Sequence, residues 1–344
     1  MSEAFRHVES DRTIVFGPAA LTSSTELIGE SYTLLSTPRA AASAPEVLER
    51  AATMIEVPAG QVDVVAAQLR AAVTGSRLVA LGGGRVIDVA KALAAADPPR
   101  GVVAIPTSLS AAEMTSVHRH AQGVAPGTPR VRPVVVINDP QLSASQPAEA
   151  LAASTANALG HAITALLSHR ATPFSQAVAG EAIQRLVSGW SGAGPDRPVL
   201  ALGALLAGWA VDHSGLGLHH ALAQTAVRTA SLEHAHTNAA LLPATIRAIR
   251  SRRPAELKRL DESLGIALEA VAEQLQQRAR ASLGVLTDDE ELLRRAVETA
   301  AKRPELDQIP PAPDHAEIRE IYRTSSPTSL HGLETRPARQ DHDR

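Results

Sequence analysis

Three consecutive glycines between a predicted strand and a predicted helix constrain this chain more than any other feature. Gly82, Gly83 and Gly84 follow the apolar run 78–81 and lead into the amphipathic helix pattern that continues to residue 94. Residues without side chains let a phosphate approach the backbone, and the first helical N–H groups and the helix dipole hold its charge. The spacing matches neither G-x-G-x-x-G nor the P-loop pattern. It predicts a nucleotide-phosphate site, with a ligand-free glycine turn as the alternative.

Composition limits the class of protein. The 344 residues, 44% of them hydrophobic, suffice for two domains with sizeable cores. A net charge of −3 without a basic stripe argues against nucleic acid as a partner. The chain has no cysteine, so a metal would need histidine, carboxylate or amide ligands. The N-terminus has no apolar signal core, and no run approaches the ~20 apolar residues of a membrane span. We therefore expect a soluble cytoplasmic enzyme without a membrane partner.

The order of apolar patterns predicts two domains. Up to about residue 148, short apolar runs alternate with helical patterns, which is typical of an α/β domain with a mostly parallel sheet. From Pro147 onward, Ala/Leu-rich segments carry helical periodicity. We predict a dinucleotide-binding α/β domain at 1–148, a helical substrate or metal domain at 149–330, and a disordered tail at 331–344. The predicted strands are 13–16, 32–35, 78–81, 102–105 and 134–137, and the predicted helices include 148–169, 173–188, 199–213 and, after a proline-rich break at 309–313, 315–322.

Histidine spacing in the helical half predicts a second site. Asn157 and His161 are four residues apart, as are His220 and Gln224, and His234 follows His220 by fourteen residues. Side chains at i and i+4 share one helix face, so these residues can converge. His161 alone is more often a hydrogen-bonded helix residue than a ligand, but the combined spacing favours a site.

Gly-Gly-Gly-x-x-x-Asp-x-x-Lys, with Asp88 as its carboxylate, resembles the signature of the iron-containing alcohol dehydrogenase superfamily. The resemblance implies a dehydroquinate synthase-like architecture, with an α/β nucleotide-binding domain followed by an all-helical domain. In that family an Asp and a His four apart, then two His fourteen apart, ligate a divalent metal. It implies His161, His220 and His234 as ligands of Fe²⁺ or Zn²⁺, while Asn157 supplies a weaker amide in place of the carboxylate.

One branch of the family is matched more specifically. Residues 157–161 read Asn-Ala-Leu-Gly-His, residues 217–222 read Gly-Leu-His-His-Ala-Leu, and residues 110–115 end in Glu-Met-Thr. All three resemble maleylacetate reductases, which are regarded as not needing a metal. Gln224 departs from the family, which has a histidine there associated with catalysis or proton relay. Glutamine can orient a substrate or water but cannot act as an acid or base near neutral pH.

The cofactor contacts are also predicted by resemblance. Thr107 and Ser108 match the hydroxyls of the family's Pro-Thr-Thr, and Leu142 matches the leucine beside the nucleotide. The segment 34–39, which contains Ser36 as a further expected contact, has no acidic residue to bind a ribose 2′-hydroxyl. We therefore expect NADPH to be accepted beside NADH.

The leading hypothesis is an NAD(P)H-dependent reductase of maleylacetate or a related unsaturated keto-acid, giving a 3-oxoadipate-type product. Its catalytic candidates are His161, His220, His234, Gln224 and Asn157. The alternatives are a metal-dependent alcohol dehydrogenase on a small alcohol or aldehyde, and a nucleotide-binding protein with little catalysis. Residues 118–120, His-Arg-His, are either a solvated loop or cationic contacts for an acidic substrate. The family resemblance also implies a homodimer.

Overall fold

A computed structural model describes residues 3–325 of the chain, and its sheet has seven strands in the order β1-β2-β7-β6-β5-β3-β4. All neighbouring strands are parallel except β1 and β2, which are antiparallel. The strands are β1 (Phe5–Glu9), β2 (Arg12–Phe16), β3 (Tyr32–Ser36), β4 (Ala51–Glu56), β5 (Arg77–Gly82), β6 (Gly101–Pro106) and β7 (Val135–Asn138).

The described residues also form sixteen α-helices and three short 3₁₀ helices. The α-helices are α1 (Thr25–Ile28), α2 (Pro38–Ser43), α3 (Pro45–Glu49), α4 (Val62–Leu69), α5 (Gly84–Ala96), α6 (Pro140–Ser143), α7 (Ala148–Leu167), α8 (Pro173–Ser188), α9 (Arg197–Ser214), α10 (Leu218–Ala230), α11 (His234–Arg252), α12 (Pro254–Leu264), α13 (Leu268–Arg278), α14 (Gly284–Thr287), α15 (Glu290–Ala300) and α16 (His315–Arg323). The 3₁₀ helices are Thr22–Ser24, Arg70–Ala72 and Pro304–Gln308.

The central strands of the sheet follow the predicted apolar runs. All five predicted strands are present, each within a residue or two of its expected bounds. Their residues are buried because helices cover both faces of a parallel sheet. The edge strands β1 and β4 were not predicted. Both are mostly exposed or half-buried, so neither shows a continuous apolar run.

The helical half is built around α7. In the described part of the chain no strand follows β7, as expected, and α7 packs against α8, α9, α11 and α13. The expectation that no segment reaches the length of a membrane span was wrong, since α7 is long and apolar enough. Most of α7 is buried inside the fold, however, which is also what a core helix of a soluble protein shows. The domain limits at 148 and 330 stay a prediction, and the tail 331–344 lies outside the described residues.

The loop between β6 and β7 lies between the sheet and the helical half and packs against α9. Ala111 in this loop has a left-handed backbone, with φ of 62°, and sits against Gly208 of α9. A Cβ atom at Gly208 would lie 2.7 Å from the Cβ of Ala111, so glycine is required for this contact. Asp212 of α9 accepts hydrogen bonds from the backbone N–H and the hydroxyl of Ser116. The carboxyl edge of the sheet therefore faces the helical half across this loop.

Candidate functional site

The glycine turn has the geometry expected of a phosphate site. β5 ends at Gly82, and Gly83 precedes the first turn of α5 without a capping side chain. The first N–H groups of α5 therefore have no side-chain acceptor, which leaves them for an anion. A Cβ at Gly83 would lie 3.1 Å from Ser108 Oγ, and one at Gly84 would lie 2.9 Å from Ser110 Cβ. The loop after β6 thus lies directly against the glycines.

Asp88 and Lys91 of the same motif form an ion pair one turn into α5. Asp88 Oδ1 lies 2.8 Å from Lys91 Nζ, and the Lys91 side chain is fully buried. Lys91 Nζ also donates to the carbonyl groups of Ala112, Thr115 and Val117 at 2.8–3.0 Å. Lys91 therefore fixes the loop after β6 to α5 and is not free to bind phosphate, while Asp88 is partly exposed.

The other predicted cofactor contacts lie around this edge of the sheet. Thr107 donates its backbone N–H to the carbonyl of Gly82 at 2.9 Å, which brings Thr107 and Ser108 beside the glycine turn. The Ser36 hydroxyl is buried and donates to the carbonyl of Leu81 at 2.8 Å, so it joins neighbouring strands. Leu142 is also buried, in the apolar cluster that includes strand residues of β5, β6 and β7. The contacts of these residues with a nucleotide stay a prediction.

His220 contacts both Asn157 and His161, two of the residues that the spacing predicted could converge with it. Asn157 Nδ2 donates to the carbonyl of Ser110 at 3.4 Å, so its Oδ1 faces His220 and accepts from His220 Nε2–H at 3.2 Å. The rings of His161 and His220 meet edge to face with centroids 3.9 Å apart. Burial lowers the pKa of His161 to about 3 and that of His220 well below its usual value. Both imidazoles are therefore neutral at pH 7.

The structure gives His219 a defined position against α7. Its Nδ1 pairs with Thr245 Oγ1 at 2.9 Å, and that hydroxyl donates to the carbonyl of Leu241. The ring lies so close to Gly160 that a Cβ there would be 2.3 Å from His219 Cδ2. Burial lowers the pKa of His219 to about 3. Gly160, one residue before His161, is the sequence feature that could have indicated this close packing of His219 against α7.

His234 does not complete a coordination sphere with the other two histidines. It is the first residue of α11 and is exposed, and its Nε2 pairs with Asn238 Nδ2 at 3.2 Å. Within residues 3–325, no group of three or more His, Asp or Glu side chains is placed to hold a metal ion. His220 Nε2 bonds directly to Asn157 and cannot be a ligand at the same time. The donor set as arranged does not fit a metal.

Gln224 and the His-Arg-His loop also have defined partners. Gln224 Oε1 accepts from Arg303 Nη2 at 2.9 Å, a partner that the sequence did not indicate.

His118 Nε2 accepts from the N–H of Val131, its Nδ1 faces the carbonyl of Arg119, and burial lowers its pKa to about 4. His118 is therefore neither solvated nor cationic. It is a buried residue that closes the loop, and both readings of this residue were wrong.

Comparison with known proteins identifies the family of the chain. Residues 151–326 match the model of the Fe-containing alcohol dehydrogenase family, C-terminal domain. Maleylacetate reductase 1 of Rhodococcus opacus is 32% identical over 257 residues, which cover 70% of this chain and 71% of that protein. Maleylacetate reductase 2 of Cupriavidus pinatubonensis is 34% identical over 209 residues, 58% of each chain.

Solved structures share the whole architecture. An iron-containing alcohol dehydrogenase from Corynebacterium glutamicum superposes with a TM-score of 0.79 at 25% identity, covering 95% of this chain and 98% of the other. A maleylacetate reductase from Agrobacterium tumefaciens superposes with a TM-score of 0.76 at 26% identity, covering 95% and 99%. The predicted fold class is confirmed. The chain belongs to the Fe-containing alcohol dehydrogenase family and is an NAD(P)-dependent oxidoreductase.

Proposed function

We propose that this protein reduces maleylacetate, or a closely related unsaturated keto-acid, with NADH or NADPH and without a metal ion. The observation that carries the proposal is the hydrogen bond between Asn157 and His220, which joins two residues that would otherwise face a metal. A neutral amide removes the negative charge that a divalent ion would need. The relatives named maleylacetate reductase support the same substrate class.

A nicotinamide cofactor held at the glycine turn, residues 82–84, would supply a hydride for the carbon–carbon double bond conjugated with the substrate ketone. The electron pair of that bond then moves toward the ketone oxygen and forms an enolate. Neutral imidazole N–H groups stabilise such an oxyanion when they are already oriented toward it. His161 is suited to this role because its Nδ1 is buried without a hydrogen-bond partner, which leaves Nε2 as the nitrogen that can face the cleft. Its low pKa keeps it a neutral donor.

The proton that completes the reaction comes from elsewhere. Burial lowers the pKa values of both His161 and His220, so neither gives up a proton as an imidazolium at pH 7. Gln224 has no acidic proton to give, and its amide oxygen is held by Arg303. The carbanionic carbon of the enolate therefore takes its proton from solvent water. His234, at the exposed start of α11, lies on the solvent side of this set.

The decisive experiment is NADH and NADPH oxidation by the purified protein with maleylacetate, before and after exhaustive chelation. We expect turnover that survives chelation and is supported by both cofactors. Loss of activity on chelation, with recovery on adding Zn²⁺ or Fe²⁺, would instead establish a metal-dependent enzyme. The absence of turnover with maleylacetate, together with turnover of a small alcohol, would favour the alcohol dehydrogenase function named for one solved neighbour.

The proposal also covers the cellular location and the oligomeric state of the enzyme. We infer a cytoplasmic location, supported by the absence of cysteine and by the burial of the apolar helix α7, and a homodimer, as the family resemblance implies. Sedimentation of the purified protein would measure its mass against the 36.0 kDa of one chain.

A further inference from the structure

His219 is a buried imidazole that the proposed reaction does not use. It is 1% exposed and lies in the first turn of α10, directly before His220. Its Nδ1 is 2.9 Å from Thr245 Oγ1 on α11. The Thr245 hydroxyl donates its own hydrogen to the carbonyl of Leu241 or Leu242, each at 3.0 Å. Thr245 Oγ1 is therefore the acceptor for His219, so His219 carries its proton on Nδ1 and keeps a lone pair on Nε2.

This tautomer lets the His219 ring pack closely against α7 beside His161. A Cβ at Gly160 would lie 2.3 Å from His219 Cδ2 and 2.8 Å from Nε2, so Nε2 faces the backbone of α7. Among residues 3–325, this nitrogen is buried without a hydrogen-bond partner. A hydrogen on Nε2 would be a buried donor without an acceptor and would need the space between the ring and Gly160. The bond to Thr245 removes that hydrogen from the contact and so allows the close approach of α7 and α10.

His219 also contacts the second histidine of the site. The rings of His219 and His220 meet edge to face, with centroids 4.9 Å apart and planes at 83°. His220 meets the His161 ring in the same way at 3.9 Å. His219 therefore lies against both residues, since it touches His220 directly and packs on Gly160, the chain neighbour of His161. A displacement of the His219 ring changes both contacts.

We propose that His219, in the tautomer selected by Thr245, is a positioning residue that holds His161 and His220 in the geometry of the reaction. Imidazole N–H groups stabilise a developing oxyanion when their orientation is fixed beforehand. That orientation depends on the packing and hydrogen bonds of the residues behind them. The proposal rests on the function proposed above for its kinetic effect. The tautomer of His219 and its ring contacts can be measured without substrate.

The test is Thr245→Val, which changes the acceptor and leaves the histidines in place. Valine has nearly the shape of threonine but cannot accept the bond from His219. Thr245→Ser keeps the hydroxyl and is the conservative variant. Thr225→Val is the matched control. Thr225 is also a buried helical threonine whose hydroxyl donates to the carbonyl four residues earlier, at 2.8 Å, but in the described part of the chain no histidine bonds to it.

Two measurements on the full-length protein separate positioning from stability. Nitrogen NMR of histidine-labelled, ligand-free protein reports the tautomer of each imidazole, and initial rates with NADH and maleylacetate report KM and kcat. We expect parent His219 to carry its proton on Nδ1. Thr245→Val should give His219 a mixture of tautomers, shift the ring resonances of His161 and His220, and lower kcat about tenfold without changing KM for NADH. Thr245→Ser and Thr225→Val should keep the parental tautomer and kcat.

The inference would be overturned by a proton on Nε2 of His219 in the parent protein. It would also be overturned if Thr245→Val lost stability but matched Thr225→Val in tautomer, ring resonances and kcat, because the bond to Thr245 would then be structural only. A parent protein that does not reduce maleylacetate would reject the proposed reaction. In that case a changed His219 tautomer with shifted His161 and His220 resonances would still support the positioning role, and unchanged resonances would overturn it.

Discussion

At the scale of single residues, Asn157 decides the chemistry of the histidine pocket. Its amide donates to the loop through Nδ2 and accepts from His220 through Oδ1, so both ends of one planar group are used. A carboxylate at this position has no hydrogen to donate and would face the carbonyl of Ser110 with a negative oxygen. The amide is therefore suited to a pocket of neutral imidazoles without a metal ion.

Asn157→Asp should convert this pocket into a metal site. Without metal, the buried carboxylate facing a carbonyl should reduce the free energy of unfolding by about 1–3 kcal/mol. Adding Zn²⁺ should then raise the melting temperature of the variant but not that of the parent protein, measured by thermal unfolding with and without the ion. Asn157→Leu, which supplies no ligand, is the control. A parent protein that zinc stabilises as much as the aspartate variant would contradict this prediction.

Gly160→Ala tests the contact between α7 and His219. The added Cβ would lie 2.3 Å from the His219 ring, which is closer than real Cβ atoms come to any group. The ring or the helix must shift, and we expect a loss of about 1–3 kcal/mol in the free energy of unfolding, measured by denaturant titration.

Gly180→Ala is the matched control for that substitution. Gly180 is also a glycine inside a helix, in α8, but no atom lies within 4 Å of its would-be Cβ. This change should stabilise the protein by about 0.5–1 kcal/mol through helix propensity alone. If both variants lost stability equally, steric contact with His219 would not be the reason for Gly160.

At the scale of elements, the strand, turn and helix around residues 77–96 are the predicted cofactor site. Gly83 has an ordinary extended backbone, with φ of −79°, so alanine fits its conformation without strain. A methyl group there would nevertheless stand 3.1 Å from Ser108 Oγ, beside the predicted phosphate site.

Gly83→Ala should therefore raise KM for NADH about tenfold or more, with little change in the free energy of unfolding. Initial rates at varied NADH, beside denaturant titration, would measure the two effects separately. Gly127→Ala, in an open part of the loop with no atom near its would-be Cβ, serves as the control. A fall in stability without a change in KM would indicate a structural turn rather than a phosphate site.

The elements that could be predicted from sequence are those whose pattern is local. The five central strands are continuous apolar runs, and the glycine turn and the helices after residue 147 have clear signals in short windows. β1 and β4 depend on pairing at the edges of the sheet, which leaves weak local patterns. Helical spacing predicted that Asn157 and His161 share one face of α7, but their contact with His220, 63 positions from Asn157, was expected only from the combined pattern and the family resemblance. The bond between Gln224 and Arg303 joins residues 79 positions apart, which no spacing rule predicts.

At the scale of the whole molecule, four buried histidines make stability depend on pH. Burial lowers the pKa values of His118 to about 4 and of His161 and His219 to about 3, and lowers that of His220 well below its usual value. Each is neutral when folded but takes up a proton near pH 6.5 when unfolded. The unfolded state therefore binds more protons below pH 6.5, and stability is lost as the pH falls toward the folded pKa values.

Glu113 acts in the opposite direction. Burial raises its pKa to about 7, so the folded state binds a proton between pH 7 and pH 4.5 that the unfolded state does not. From pH 7.5 to 5.5, each histidine should contribute a loss of about 1.4 kcal/mol, and Glu113 should offset about 2 kcal/mol of the total. We expect a net loss of about 3–4 kcal/mol, measured by denaturant titration at both pH values. A flat profile would mean that these histidines are not buried and neutral.

Lys91 joins the helix of the predicted phosphate site to the loop after β6. It lies on α5, whose first turn is the predicted phosphate site, and it holds the carbonyl groups of Ala112, Thr115 and Val117 in the loop after β6. We expect a nucleotide bound at the start of this helix to stabilise the loop through Lys91 and so to favour later binding of the keto-acid. We therefore predict a compulsory order of addition, with the nicotinamide first and the keto-acid second. Product inhibition by NAD(P)⁺ should accordingly be competitive against NAD(P)H alone.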